Sequence, residues 1–121
     1  MAGITFVPAD TTVAKTLCTA GANGSLLTGI IGQSNDTAVC NVKIMVDGQW
    51  IGTVRVPIAA GSDGATVSKQ LLNNTDLPFL IIDSNGNPVL KLGPASVVTV
   101  APLATVTTAK TLSLQATIED F

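Results

Sequence analysis

The chain has no histidine and no tyrosine, one tryptophan and three phenylalanines in 121 residues, and a charged fraction of 12%. Without histidine it lacks the commonest general base and the commonest metal ligand. With one arginine, five lysines and a net charge of -2 it has no concentrated basic field, which argues against a dedicated nucleic-acid binder. Gly, Thr, Asn and Asp interrupt every apolar run before it reaches the roughly 20 residues that a membrane-spanning helix needs. Two cysteines, Cys18 and Cys40, are too few for the disulfide framework of a small secreted scaffold, and they do not form a CxxC. The segment Met1–Phe6 lacks a basic stretch followed by a long apolar one, so it does not read as a secretory signal and cytosolic synthesis is the expectation.

What is abundant is Thr, Val, Ala, Leu and Gly, a mixture that disfavours long helices and suits a pleated, half-buried surface. A chain of this length suffices for one domain with a real core: scaling predicts roughly 6,100 Å² exposed when folded against roughly 17,800 Å² extended. Periodicity agrees with composition. From Thr111 to Ile118 the apolar set Leu112, Leu114, Ala116 and Ile118 alternates with polar residues. Cys40, Val42, Ile44 and Val46 share one face opposite Asn41, Lys43 and Met45. Strict alternation from residue 50 to 56 predicts Trp50, Val54 and Val56 on one face and Ile51, Thr53 and Arg55 on the other.

Turn signals punctuate these runs. Asp47-Gly48 predicts a type I′ hairpin, because both central positions need positive φ. Gly21–Gly24, Gln33–Asp36, Ala60–Gly64, Leu72–Asp76, Asp83–Pro88, Gly93-Pro94 and Ala101-Pro102 mark further breaks. The expected fold is all-β: about eight or nine short strands in a single antiparallel β-sandwich of immunoglobulin-like or jelly-roll type. The expected organisation is a sandwich domain over 11–121 preceded by an arm over 1–10, with Ile4, Phe6 and Val7 available to dock on a neighbour.

Six aspartates, at 10, 36, 47, 63, 76 and 83, sit in or beside predicted turns, where short carboxylates accept local backbone hydrogen bonds. The oxygens of Asp83–Asn87 imitate a calcium loop but lack its distal bidentate glutamate, so no metal site is assigned. Hydroxyls are plentiful, but no nucleophile–base pair can be named, and neither a catalytic residue nor a cofactor is assigned. The sequons at Asn23, Asn35 and Asn73 read as Asn-rich turns. Cys18 and Cys40 read as buried small hydrophobes, with inter-subunit thiols as the alternative. Trp50 and Arg55 are the candidate interface anchors outside the arm.

Four stretches, Thr16–Ile31, Ser34–Val46, Val56–Gly61 and Leu92–Val97, give the chain a layout that resembles small virion proteins of tailed bacteriophages, most of all capsid decoration (cement) proteins. The likeness spans about residues 11 to 118, and Cys18 stands where that layout has an aromatic. It implies a non-enzymatic structural protein on the capsid exterior, bridging subunits of the major capsid protein or of another virion protein. It also implies a homo-oligomer, with a trimer favoured, made in the host cytoplasm and resident in the virion, with no nucleic-acid or membrane partner. A neck, tail or fibre-associated protein is the first alternative. The alternative of another class is a carbohydrate-binding or adhesion module centred on Trp50.

Overall fold

The alternation that ends the sequence builds the centre of one sheet. In the computed structural model, which describes residues 2–34, 36, 39–56, 67–73, 77 and 80–121, strand β10 (Leu112–Asp120) runs antiparallel between β1 (Ala2–Phe6) and β3 (Ser25–Ser34). Leu112, Leu114 and Ala116 are fully buried, and burying a leucine side chain stabilises the fold by about 1.5–3 kcal/mol. β3 is long enough to serve two further partners. Its first half pairs with β8 (Pro88–Leu92), and its second half pairs with β6 (Val67–Gln70). A short β7 (Ile81–Ile82) closes this six-stranded sheet beyond β8.

The second layer has four strands in the order β2 (Lys15–Thr19), β9 (Val97–Pro102), β4 (Cys40–Val46) and β5 (Gln49–Val56). Asp47 and Gly48 join β4 to β5 with φ of 52° and 83°, the left-handed pair that a type I′ turn requires. Cys40, Val42 and Ile44 point inward, as alternation predicted. They meet Val54, Val56, Val98 and Val100 of their own sheet and Leu27, Ile30, Leu112 and Leu114 of the other. The architecture is therefore the expected all-β antiparallel sandwich.

Two features depart from the sequence reading. The segment read as an arm carries β1, seated on the chain's own β10, with Ile4 packed against the core and Phe6 wholly inside it. A short 3₁₀ turn, Pro8–Asp10, then carries the chain over to the other layer. The second departure is that three β-bulges reset the inside–outside phase. Leu17 is the extra residue opposite β9, Thr28 the extra one opposite β10, and Ile51 the extra one opposite β4. Leu17 and Cys18 are consequently both buried although adjacent, and β3 buries Leu27 and Ile30 three residues apart.

The Pro8–Asp10 turn is held by one carboxylate. Asp10 Oδ2 accepts the Val7 N–H at 2.8 Å and the Lys15 ammonium at 3.0 Å, while Lys15 Nζ also donates to the Thr5 carbonyl at 2.8 Å. The Val7 N–H, followed by Lys15, holds the Asp10 carboxyl below the usual carboxylate range. A depressed folded-state pKa contributes stability above the unfolded value of about 3.9 and loses it as pH falls through the folded value. The stability difference between wild type and Asp10→Ala, read from urea midpoints, is expected to be full near neutral pH, to shrink as pH falls through the folded-state value and to vanish in strong acid. A difference that persists in strong acid would rule this carboxylate out as its source.

Candidate functional site

The bulge at Ile51 decides where the lone tryptophan goes. Ile44 pairs with Gly52 but Met45 pairs with Trp50, so Trp50 sits on the face of Lys43 and Thr53, not on that of Val54 and Val56. Directly opposed residues of an antiparallel pair lie on the same side of the sheet, so the register settles the assignment. The expectation that Trp50 shares the face of Val54 and Val56 is thereby corrected: Trp50 and Arg55 share the outer face.

That face reads across the four-stranded sheet in rows. Thr16, Thr99, Met45 and Trp50 form one row; Ala101, Lys43 and Thr53 the next; Asn41 and Arg55 the last. Trp50 is 61% exposed, and its indole N–H donates to the Gly52 carbonyl at 2.9 Å, which fixes the ring along the strand. Lys43 Nζ lies 5.3 Å from the ring centroid, a cation–π contact. Neither Lys43 nor Arg55 has a carboxylate partner among the described residues. The aspartate at the tip of the same hairpin, Asp47, is committed elsewhere: its carboxylate accepts the Ser96 hydroxyl at 3.0 Å and the Val97 N–H at 2.9 Å.

The other sequence candidates lie apart from this face. Ile4 and Phe6 belong to the six-stranded sheet and the core, and Val7 is exposed beside the 3₁₀ turn. Cys18 and Cys40 are buried thiols, and burial pushes both up; the Asp36 carboxylate, 3.9 Å from Cys40 Sγ, adds to the rise there. A buried thiol with a raised pKa is a slow nucleophile. In the folded protein both cysteines should therefore react with a thiol reagent far more slowly than in urea. Rapid native labelling of either would contradict its placement, and as placed neither offers its sulfur to a neighbouring subunit.

Of the described aspartates at predicted turns, Asp10 and Asp83 accept local backbone hydrogen bonds as expected, whereas Asp47 and Asp36 reach across the fold to Ser96, Val97 and Thr107. Asp83 Oδ1 accepts the N–H groups of Asn85 and Asn87, both at 2.9 Å, and Asp36, almost wholly buried, accepts the Thr107 N–H at 2.9 Å. Asp63 and Asp76 lie outside the described residues. No cluster of three metal-ligating side chains occurs among the described residues. A cleft of about 90 Å³ opens beside Asp36 and Cys40, with Val39 and Leu103 on its rim. It is far below the roughly 300–1,000 Å³ of a small-molecule site. What the geometry offers is surface for contact, on the outer face of β4 and β5 and at the edge strand β7, where Ile81 and Ile82 are exposed.

No protein-family model matches the chain, and no curated protein matches it. Among solved structures it is similar to the CBM36-1 domain of a multidomain xylanase from the hindgut metagenome of Trinervitermes trinervoides, at 12% identity and a TM-score of 0.39 over 88% of this chain and 67% of that one. It is also similar to a glycoside hydrolase family 43 arabinoxylan arabinofuranohydrolase from Bacillus subtilis, at 10% identity and a TM-score of 0.44, covering 97% of this chain and 24% of that one. A third similar structure is the Podospora anserina GH26-CBM35 β-(1,4)-mannanase, at 9% identity and a TM-score of 0.43, covering 96% of this chain and 28% of that one. At these scores the similarity assigns no function.

Proposed function

We propose that this chain is a non-enzymatic structural protein that decorates a capsid exterior and stabilises the shell by bridging neighbouring capsid subunits. The observation that carries the reading is the state of β7. Successive residues of a strand point to opposite faces, yet Ile81 and Ile82 are 52% and 51% exposed, so this edge strand leaves apolar side chains bare on both sides. Isolated surface hydrophobics are ordinary, but two adjacent isoleucines on an outermost strand suit a partner surface. A charged fraction of 12% lets such surfaces meet with little desolvation cost. The phage-like layout of the sequence points the same way.

Quantitative mass spectrometry of purified virions from the source virus tests the proposal. Hundreds of copies per particle are expected for shell decoration, whereas about a dozen would indicate a ring at a neck or tail, and absence would end both readings. In solution the proposal expects a homo-oligomer, a trimer first, whose light-scattering mass is unchanged by reductant because both thiols are buried. A mass that falls on reduction would contradict that arrangement. An Ile81→Asp, Ile82→Asp variant should fold and yet fail to join the shell.

A second reading, a carbohydrate-binding or adhesion module, is favoured by the outer face of the four-stranded sheet. There an exposed indole shares its face with Asn41, Thr53 and Thr99. Aromatic rings flanked by hydrogen-bonding groups suit sugar rings, whose own faces are part apolar and part hydroxyl. The two readings use different sheets and are compatible in one molecule. Loss of glycan binding in a folded Trp50→Ala variant would support the second.

A further inference from the structure

We infer that the outer face of the four-stranded sheet takes an acidic saccharide, a chain of sugars bearing carboxylates, with Trp50 stacking on one ring and Lys43 and Arg55 receiving the negative groups. This rests on the saccharide reading above and adds the charge of the ligand to it.

The inference starts from a local imbalance. The chain as a whole is acidic, with eight carboxylate side chains against six cationic ones. Yet the rows that contain Lys43, Trp50, Thr53 and Arg55 hold two cations and no carboxylate among the described residues. Among the described residues neither cation has an acidic partner, and Asp47, which is close in sequence, is tied to Ser96 and Val97. Unpaired cations beside an exposed aromatic ring call for an anion that also has a face to stack. Arg55 is exposed, and its planar fork of donors matches a carboxylate with two parallel hydrogen bonds. Lys43 Nζ lies over the indole at 5.3 Å, so a sugar ring that stacks on that face displaces the flexible ammonium toward the ring edge, within reach of the sugar's carboxylate.

Spacing suits an extended ligand. Trp50 and Arg55 are five residues apart on one strand, about 15 Å at roughly 3.3 Å per residue with one bulge between them. The hydroxyl of Thr53 and the amide of Asn41 lie along this path as neutral hydrogen-bonding groups. A second copy of the chain is a poor occupant. Face-to-face contact would set Lys43 and Arg55 against their own counterparts, and like charges in juxtaposition oppose association.

The test uses the full chain with polygalacturonate, its methyl-esterified form and poly-glutamate, read by titration calorimetry. The expected result is binding of polygalacturonate that weakens with salt, and binding of the ester at least tenfold weaker. Trp50→Ala, Lys43→Gln and Arg55→Gln should each lose roughly tenfold, the effect of about 1.4 kcal/mol. Lys91→Gln on β8 of the other sheet should lose nothing, and melting temperatures identify any variant that fails to fold. Equal binding of acid and ester would overturn the charge assignment while leaving the saccharide reading intact. Binding of neither polysaccharide would overturn both, and poly-glutamate binding as tight as polygalacturonate would replace the sugar with an acidic peptide.

Discussion

Phe6→Ala is expected to lower the free energy of unfolding by about 3–5 kcal/mol, the usual cost of emptying a buried phenylalanine site. Phe6 is wholly inside the core, and the register of β1 on β10 sets it opposite Leu112, which is equally buried. Its ring also lies 5.1 Å from the Lys15 ammonium, so truncation removes a cation–π contact along with the packing. Val7, one residue on and exposed, is the internal control: Val7→Ala should change stability by less than about 0.5 kcal/mol. Chemical denaturation of the two variants gives the comparison. A Phe6→Ala protein as stable as wild type would mean that residues 2–6 detach in solution, and would return the N-terminus to the status of an arm.

Two glycines with nearly the same backbone angle should respond differently to the same substitution. Gly24 and Gly48 have φ of 88° and 83°, so an alanine at either meets left-handed strain of about 1–2 kcal/mol. At Gly48 an added Cβ meets nothing within 4 Å, and the strain is the whole cost. At Gly24 the Cβ would stand 2.8 Å from the Leu92 carbonyl oxygen and 3.3 Å from the Phe121 ring. A backbone oxygen cannot rotate away as a side chain can, so overpacking adds about 1–3 kcal/mol there. Gly24→Ala should therefore have the lower urea midpoint of the two. Equal midpoints would show that the loop before β3 yields to the new atom.

Much of the fold was legible because it is local. The alternation of Leu112, Leu114, Ala116 and Ile118, the inward face of β4 and the Asp47-Gly48 turn all follow from neighbouring residues, and the structure keeps them. The aspartates at turns were readable for the same reason, although not that Asp36 would reach Thr107, 71 residues away. What alternation missed came from long-range pairing. The partner strand fixes where an extra residue is accommodated, so nothing within Trp50–Val56 announces that Ile51 is the one left over. The candidate site suffered most from this, since a single shift of phase brings Trp50 over to Lys43 and Arg55. The seating of β1 was hidden likewise: Ile4 and Phe6 have the spacing of a strand face, but their partner lies more than a hundred residues on.

The hairpin of β4 and β5 also bears on how readily another strand could add to this sheet. An outermost strand is a template on which other chains can extend a sheet, and a surface packed with identical copies brings such templates together at high local concentration. β5 has the length and the neutrality to be dangerous in that setting, with Arg55 as its one charge. The inserted Ile51 breaks the even ladder that an added strand would follow, and the Trp50 indole already occupies the carbonyl of Gly52. The residue that turns the aromatic ring toward solvent thus also makes this edge a poorer template for an added strand.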